Sequence, residues 1–196
     1  MSKYLDQQAL DTLFREARSF SYWQDTPVSD EQIRQLYDLM KMGPTAANSC
    51  PARLVFVKSA AAKERLKPCL NEGNVDKSMT AAAVAIIAMD LEFYEQLPKL
   101  FPHTDAKSWF EGKPEKIKHS ALLNSSLQGA YLIMAIRSLG LDAGPMSGVD
   151  FEKLDAEFFP DGKTKGIFIC AFGHGESGKL HPRSPRLEFS EACRIE

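Results

Sequence analysis

Residues 117–139 constrain this chain more than any other stretch. Leu122, Leu123, Leu127, Ala130, Tyr131, Ile133, Met134 and Ile136 leave almost no polar face across a helical span. A helix apolar nearly all round must be covered nearly all round. It predicts either a central core helix or one packed against a second copy. Asn124, Ser125, Ser126 and Gln128 interrupt it, which suits a protein interior and not lipid. The longest charge-free apolar run, Ser78 to Met89, covers twelve residues and is too short to span a bilayer. A chain of 196 residues buries roughly 70% of the surface its unfolded form exposes, so one domain spanning 1–196 is expected.

The other elements follow from spacing and punctuation. Ala9, Leu10, Leu13, Phe14 and Ala17 form one apolar stripe, predicting a first helix that ends near Arg18. Ser29 and Gln32 stand in capping-box spacing ahead of Ile33, Leu36, Tyr37 and Met40, the predicted buried face of a second helix stopped by Gly43-Pro44. Leu54–Val57 reads as a buried strand, and Ser59 caps a short helix ending around Pro68. Ala82–Met89 fits strand or helix, and its Val-Ile-Ile centre favours a buried strand. Residues 94–116 mix prolines and glycine with Phe101, Trp109 and Phe110, predicting an irregular aromatic lid. Gly140 ends the long helix, Gly144–Gly148 reads as a loop, Asp150 caps a helix through Phe158, and Gly166–Phe172 is a last core strand. This order is α+β, not alternating βα units.

Charge and cysteines exclude several classes. Lys and Arg total 24 against 26 Asp and Glu, with no basic block, which argues against a nucleic-acid surface. The opening MSKYLDQQALD has no apolar core of a secretory leader, so a cytoplasmic protein that engages no membrane is expected. Cys50, Cys69, Cys170 and Cys193 are scattered and read as free thiols, and neither they nor the four histidines show ligand spacing for a metal. Gly173-His174-Gly175-Glu176-Ser177-Gly178 matches the dinucleotide fingerprint G-x-G-x-x-G. Lys179–Pro182 breaks the helix that fingerprint needs, so it reads as a turn. Cys50 has no histidine in a partner position, and no paired acid and base stand out.

What remains is a set of loops with anion-binding chemistry. They are Arg18-Ser19-Phe20-Ser21, Pro44-Thr45-Ala46-Ala47-Asn48, Gly73-Asn74-Val75-Asp76-Lys77, Gly144-Pro145-Met146-Ser147-Gly148, and the pair Arg183 and Arg186. Taken singly, each also reads as a cap, a turn or surface charge. In this order they resemble the flavin-dependent nitroreductase family. Its Arg-Ser-x-Arg opening, Pro-Ser-x-x-Asn-x-x-Pro loop, Gly-Leu-x-x-Gly stretch and closing Pro-Arg align with Arg18, Pro44–Pro51, Gly140–Gly144 and Pro182-Arg183. The runs MGPTAANSCPARLVF, LPKLFPHTDAKSWF and LGLDAGPMSG are similar to its malonic semialdehyde reductase branch. Two positions depart from the family pattern. Ser21 stands where the second Arg is usual, and Ala52 where an aromatic is usual.

The resemblance implies a nitroreductase-like α+β fold, with a mostly antiparallel sheet flanked by helices and FMN bound between the subunits of a homodimer. It implies that Arg18, Ser19, Arg183 and Arg186 meet the FMN phosphate, with Ser21 beside them, and that Asn74 and Lys77 face the flavin edge where reduction places negative charge. Lys77 is then the group acting on the chemistry. The loops Pro44, Thr45, Ala46, Asn48 and Gly144, Pro145, Met146, Ser147, Gly148 are expected to offer backbone N–H groups to the ring. NADH or NADPH is the implied donor, and malonic semialdehyde, reduced to 3-hydroxypropionate, the implied substrate. His103, Lys107 and Arg53 are the candidate cations for its carboxylate. A broad nitroaromatic or quinone reductase and a non-catalytic flavin binder are the alternatives.

Overall fold

The computed structural model describes residues 4–196. Asp6 caps a single turn, α1 (Gln7–Leu10), and the chain then widens into a π-helical turn over Asp11–Arg15. Glu16 N–H reaches back five residues to Asp11 O. That wider turn shifts the apolar stripe out of register. The helix therefore stops before Arg18, and Phe14 is exposed. Then come α2 (Asp30–Met40), β1 (Ala52–Val57), α3 (Ala60–Leu66), α4 (Glu72–Thr80), β2 (Ala83–Asp90), α5 (Leu97–Leu100), α6 (Pro114–Ser138), β3 (Asp142–Met146), α7 (Phe151–Phe158), β4 (Thr164–Gly173) and α8 (Phe189–Ala192).

The caps read from sequence are present. Ser29 and Gln32 close a reciprocal box on α2, Ser59 accepts from Ala62 N–H, and Asp150 from Lys153 N–H. Tyr37 is a correction. It lies on the solvent side of α2 with the Lys41 ammonium 5.6 Å from its ring centroid, while Leu36 and Met40 are buried.

The sheet has the order β1-β2-β4-β3 and every pairing is antiparallel. Val84, Ile86, Ala88, Ile169 and Ala171 point to one face, against Leu66, Leu154, Phe20 and Trp23. Ala83, Ala85, Ile87, Cys170 and Phe172 point to the other, against Leu36, Met40, Leu132 and Ile136 of α2 and α6. Because β2 is covered on both faces it reads as an unbroken apolar run, and each such Ile contributes about 1.5–3 kcal/mol by burial. Gly129 lets α6 close on the sheet, since a Cβ there would sit 2.5 Å from the Phe168 ring.

Within one chain helix α6 is covered on one side, which leaves the other side for the second of the two expected coverings, a second copy. Leu122, Leu123 and Leu127 remain 45%, 52% and 40% exposed, while Ala121, Asn124, Gln128, Leu132 and Ile136 face the protein. Residues 94–116 keep the irregular character expected of them between short helical turns, and part of their apolar content packs inward. Phe93, Leu97, Ala106 and Phe110 form a small core with Met89 of β2 and Ala121 of α6, with Phe93 and Phe110 edge to face at 4.9 Å.

Candidate active site

The segment after the first helix lies along the free edge of β3. Ser19 pairs in parallel with Ala143, and Phe20 N–H donates to Ala143 O at 3.0 Å. Gly144 makes this possible, because a Cβ there would stand 2.3 Å from Phe20 O. Gly144, Pro145 and Met146 therefore belong to a strand, not to the expected loop. Pro145 is tolerated because its missing N–H falls on an edge strand. Only Ser147 and Gly148 lie beyond it.

Helix α4 docks on the end of that strand. Gly73, Asn74 and Lys77 sit inside this helix, where Gly and Asn suggest a loop, because tertiary contacts override local preference. Asn74 Nδ2 donates to Gly148 O at 3.0 Å, and a Cβ on Gly148 would lie 2.6 Å from that nitrogen. Trp23 Nε1 donates to Lys77 O at 2.8 Å. The Lys77 ammonium is half-buried, and among the described residues it has no ion pair or hydrogen bond. The G-x-G-x-x-G stretch is explained by packing. A Cβ on Gly175 would sit 2.0 Å from the Phe20 ring, and Gly175 bridges to Trp23. Among the described residues no parallel βαβ unit occurs to make it a dinucleotide site.

Beside Ser19 the tail closes a cavity of about 280 Å³, lined by Arg18, Ser19, Arg137, Arg183, Ser184 and Arg186, with Ala17, His181 and Pro182. Two straps cross it. Arg18 Nη2 donates to His181 O, and Arg183 Nη2 to Ala17 O at 3.0 Å. Arg186 folds back onto Ser184 O and Pro185 O. Four guanidinium groups and no carboxylate line this space, so it suits a multiply charged anion. Arg137, from the last turn of α6, is the member that sequence reading missed. Its signal was a single cation in the otherwise apolar run IMAIRSLG.

A second group of expected residues forms separately. In the Pro44–Pro51 loop, Ala47, Asn48 and Cys50 all take left-handed backbone angles, with φ of 51°, 49° and 41°. Such strain persists only where the surroundings impose it. Helix α6 imposes it through one stripe. Asn124 Oδ1 accepts from Ala46 N–H at 2.7 Å, Gln128 Oε1 from Ala52 N–H at 2.9 Å, and Tyr131 OH donates to Pro44 O at 2.9 Å. Asn48 Nδ2 adds a bond to Leu100 O, and Thr45 Oγ1 accepts from Cys50 N–H. Ala46 and Asn48 therefore do not hold their N–H groups free, since Asn48 N–H donates to Thr45 O. Among the described residues, no hydrogen bond or ion pair joins this loop to the cationic cavity.

The candidate substrate cations are engaged elsewhere. Arg53 pairs with Asp90 at 2.5 Å and donates to Cys50 O and Ala52 O. Lys107 is held by Glu95 at 2.8 Å, and that hydrogen bond raises its pKa. His103 is exposed, its ring 4.6 Å from that of Phe101. Cys50 Sγ faces Asn48 and Thr45, not a histidine. Burial pushes the Cys170 thiol up to about 12, which makes it inert at neutral pH. No cluster of metal-ligating side chains occurs among the described residues. Nor does any helix there reach the length and apolarity needed to cross a membrane.

This architecture, an antiparallel four-strand sheet between helices with an arginine-lined cavity at its edge, is that of the nitroreductase fold. The chain belongs to the nitroreductase family, whose pattern matches residues 14–174. It is 59% identical over its full length to a Polynucleobacter asymbioticus protein named as an NADH dehydrogenase/NAD(P)H nitroreductase, all of which is covered. A Ralstonia nicotianae protein of the same name is 58% identical, with 97% of this chain and 98% of the relative covered. A Bacillus subtilis nitroreductase structure superposes with a TM-score of 0.89 at 22% identity, covering 97% of this chain and all of the other. An Exiguobacterium sibiricum nitroreductase solved with FMN superposes at 0.85 and 17% identity, with both chains fully covered.

Proposed function

We propose that this protein is an FMN-dependent NAD(P)H oxidoreductase that works as a homodimer. The observation that carries this reading is the cavity of arginines, free of carboxylates, set against the β3 edge beside Ser19. The donor set fits FMN, because a phosphate dianion is a natural complement to several guanidinium groups and a serine hydroxyl. Arg18, Arg183 and Arg186 with Ser19 hold the phosphate, each charge-assisted bond being worth about 1.5–3 kcal/mol. Asn74, Lys77 and the end of β3 flank the ring.

When bound, the flavin supplies hydride chemistry between a nicotinamide and the final acceptor. The chain's own residues bind, orient and compensate charge. The ammonium of Lys77, without an ion pair or hydrogen bond among the described residues, would lower the barrier by standing where negative charge develops. No side-chain nucleophile is required. Ser21 leaves one flavin contact of the family pattern without its cation.

The Pro44–Pro51 loop and the cationic cavity form two groups within one chain. Dimerisation joins them, with the exposed Leu122, Leu123 and Leu127 of α6 as the apolar contact. The acceptor we favour is malonic semialdehyde, reduced to 3-hydroxypropionate, on the strength of the sequence runs at 42–56, 97–110 and 139–148. The relatives' nitroreductase names favour a second reading, a broad nitroaromatic reductase. In this single chain Arg53 and Lys107 are already paired with carboxylates, so neither is a free cation for an acidic substrate.

The test begins with visible absorbance and identification of the chromophore released on denaturation. A yellow protein releasing about one FMN per subunit supports the cofactor assignment. A colourless protein that takes up no FMN removes it. Turnover of malonic semialdehyde is then compared with that of a nitroaromatic under NADH and NADPH. Reduction of the nitroaromatic alone defeats the narrower reading.

A further inference from the structure

Arg137 has no role in the family motif carried by this sequence, yet its position is unusual. It emerges from the last turn of α6 into the cavity lined by Arg18, Ser19, Arg183 and Arg186. Its Nη1 donates to Leu13 O at 2.9 Å and lies 4.0 Å from Met134 Sδ. Its Nε is buried and has no hydrogen-bond partner. Among the described residues Arg137 makes no ion pair. The carboxylates of Glu16 and Asp142 line the neighbouring cavity with it, and Asp142 Oδ2 is already taken by Gly175 N–H at 2.9 Å.

Arg137 is half-buried, and its buried, unpaired Nε carries the desolvation cost of that donor. Arg183 sits near enough to repel it. Burial first, and the Arg183 charge after it, pull the Arg137 guanidinium below its ordinary value. Asp142 offsets part of this from the neighbouring cavity, but with Arg183 alongside and no ion pair among the described residues, Arg137 is open to a further anion in the arginine-lined cavity.

We propose that Arg137 is a phosphate-binding residue of the flavin site, meeting the FMN phosphate from the α6 side of the cavity. This rests on the FMN reading above. The phosphate would offset the repulsion between Arg137 and Arg183. Arg137 would also couple cofactor binding to the N-terminal helix through Leu13 O. An empty cavity would leave that strap under repulsion, and a filled one would tighten it.

The test separates the phosphate from the ring. Apoprotein is titrated with FMN and, separately, with riboflavin, which keeps the ring and lacks the phosphate. For Arg137→Met we expect the FMN Kd to rise about ten- to a hundredfold, with the riboflavin Kd unchanged. Arg137→Lys restores the charge without the fork and should recover part of the loss. If Arg137→Met does not fold, the Lys variant decides alone, since weaker FMN binding with intact riboflavin binding is expected there too. An unchanged FMN Kd overturns the proposal. So does an equal loss for both flavins, which would mark Arg137 as a strap on Leu13 only. A wild-type protein that binds neither flavin defeats the FMN reading itself and the proposal with it, which differs visibly from a variant that binds as the wild type does.

Discussion

The two halves of the proposed flavin site are built by opposite means. The cationic cavity is assembled from Arg183 and Arg186 on an exposed tail past the last strand, with half-buried Arg18 and Arg137 from elsewhere in the chain, and the hydrogen bonds of these arginines end largely on backbone carbonyls. The Pro44–Pro51 loop carries no charge, yet it is fixed by a stripe of α6 side chains and held in left-handed geometry at three non-glycine residues. One half recognises by charge and leaves its donors short of partners. The other recognises by shape, with its own N–H groups largely satisfied. Substitutions in the first half should therefore change cofactor binding with little effect on folding, and substitutions in the second should do the reverse.

The strongest break of the charge half is Arg18→Ala combined with Arg183→Ala. Both crossed straps and two phosphate contacts go together, so FMN affinity should fall about a hundredfold or more, measured by fluorescence titration. The melting temperature should hardly move, because Arg183 is exposed and Arg18 only half-buried. Full FMN occupancy after dialysis would refute the assignment.

If the two halves meet across a dimer, separating the subunits should separate the functions. Leu123→Lys with Leu127→Lys removes apolar burial worth about 1.5–3 kcal/mol per leucine and adds like charges facing each other. Sedimentation should show a shift toward monomer, with loss of flavin in step. A protein still dimeric at micromolar concentration would place the interface elsewhere.

Lys77→Met sharpens the division inside the charge half. Its ammonium is assigned to developing charge, so flavin reduction by NADPH should slow by about a hundredfold at most while FMN affinity changes little. Stopped-flow bleaching at 450 nm or thereabouts reads the rate directly, and an unchanged rate sinks the role.

How far the sequence announced this depended on whether a signal was local. Caps did so because Ser29, Ser59 and Asp150 act within one turn of themselves. The buried strand at 83–90 did so because coverage on both faces writes a continuous apolar run. The polar breaks in the 117–139 run were visible, but their partners were not. Nothing in sequence spacing says that Asn124, Gln128 and Tyr131 reach a loop roughly eighty residues away. Gly144 illustrates the same limit. Its glycine suggested a flexible loop, whereas the reason for it is a close approach to Phe20 O from a segment over a hundred residues earlier. Asn74 and Lys77 were picked by resemblance, and the helix that carries them depends on contacts to Gly148 and Trp23. The Arg18, Arg183 and Arg186 cluster was legible as a list, but Arg137 joins it only in three dimensions.

The shape half has its own graded test. Asn124→Ala removes a buried amide together with its bonds to the Ala46 N–H and Ser120 O, with an expected loss of about 1–3 kcal/mol. Urea denaturation should show that loss, while the phosphate half keeps its grip on FMN because none of its cations is touched. A fall in FMN affinity as large as that of the double arginine variant would mean that the halves are not separable.

Tyr131→Phe is the mildest of these changes and the most discriminating. It deletes one hydroxyl, whose bond to Pro44 O at 2.9 Å is the last rung of the α6 stripe. The ring itself must stay, because Gly43 lies against it so closely that a Cβ there would sit 2.1 Å from Tyr131 Cδ2. The deletion therefore removes a hydrogen bond and leaves the packing, with an expected loss of about 0.5–1.5 kcal/mol in stability. If the loop were held by packing alone, no loss would follow. If the left-handed residues depend on every rung, the loss would exceed this range and approach that of Asn124→Ala. The ratio of the two variants thus measures whether the strained loop is held by independent bonds or by a stripe acting as a unit.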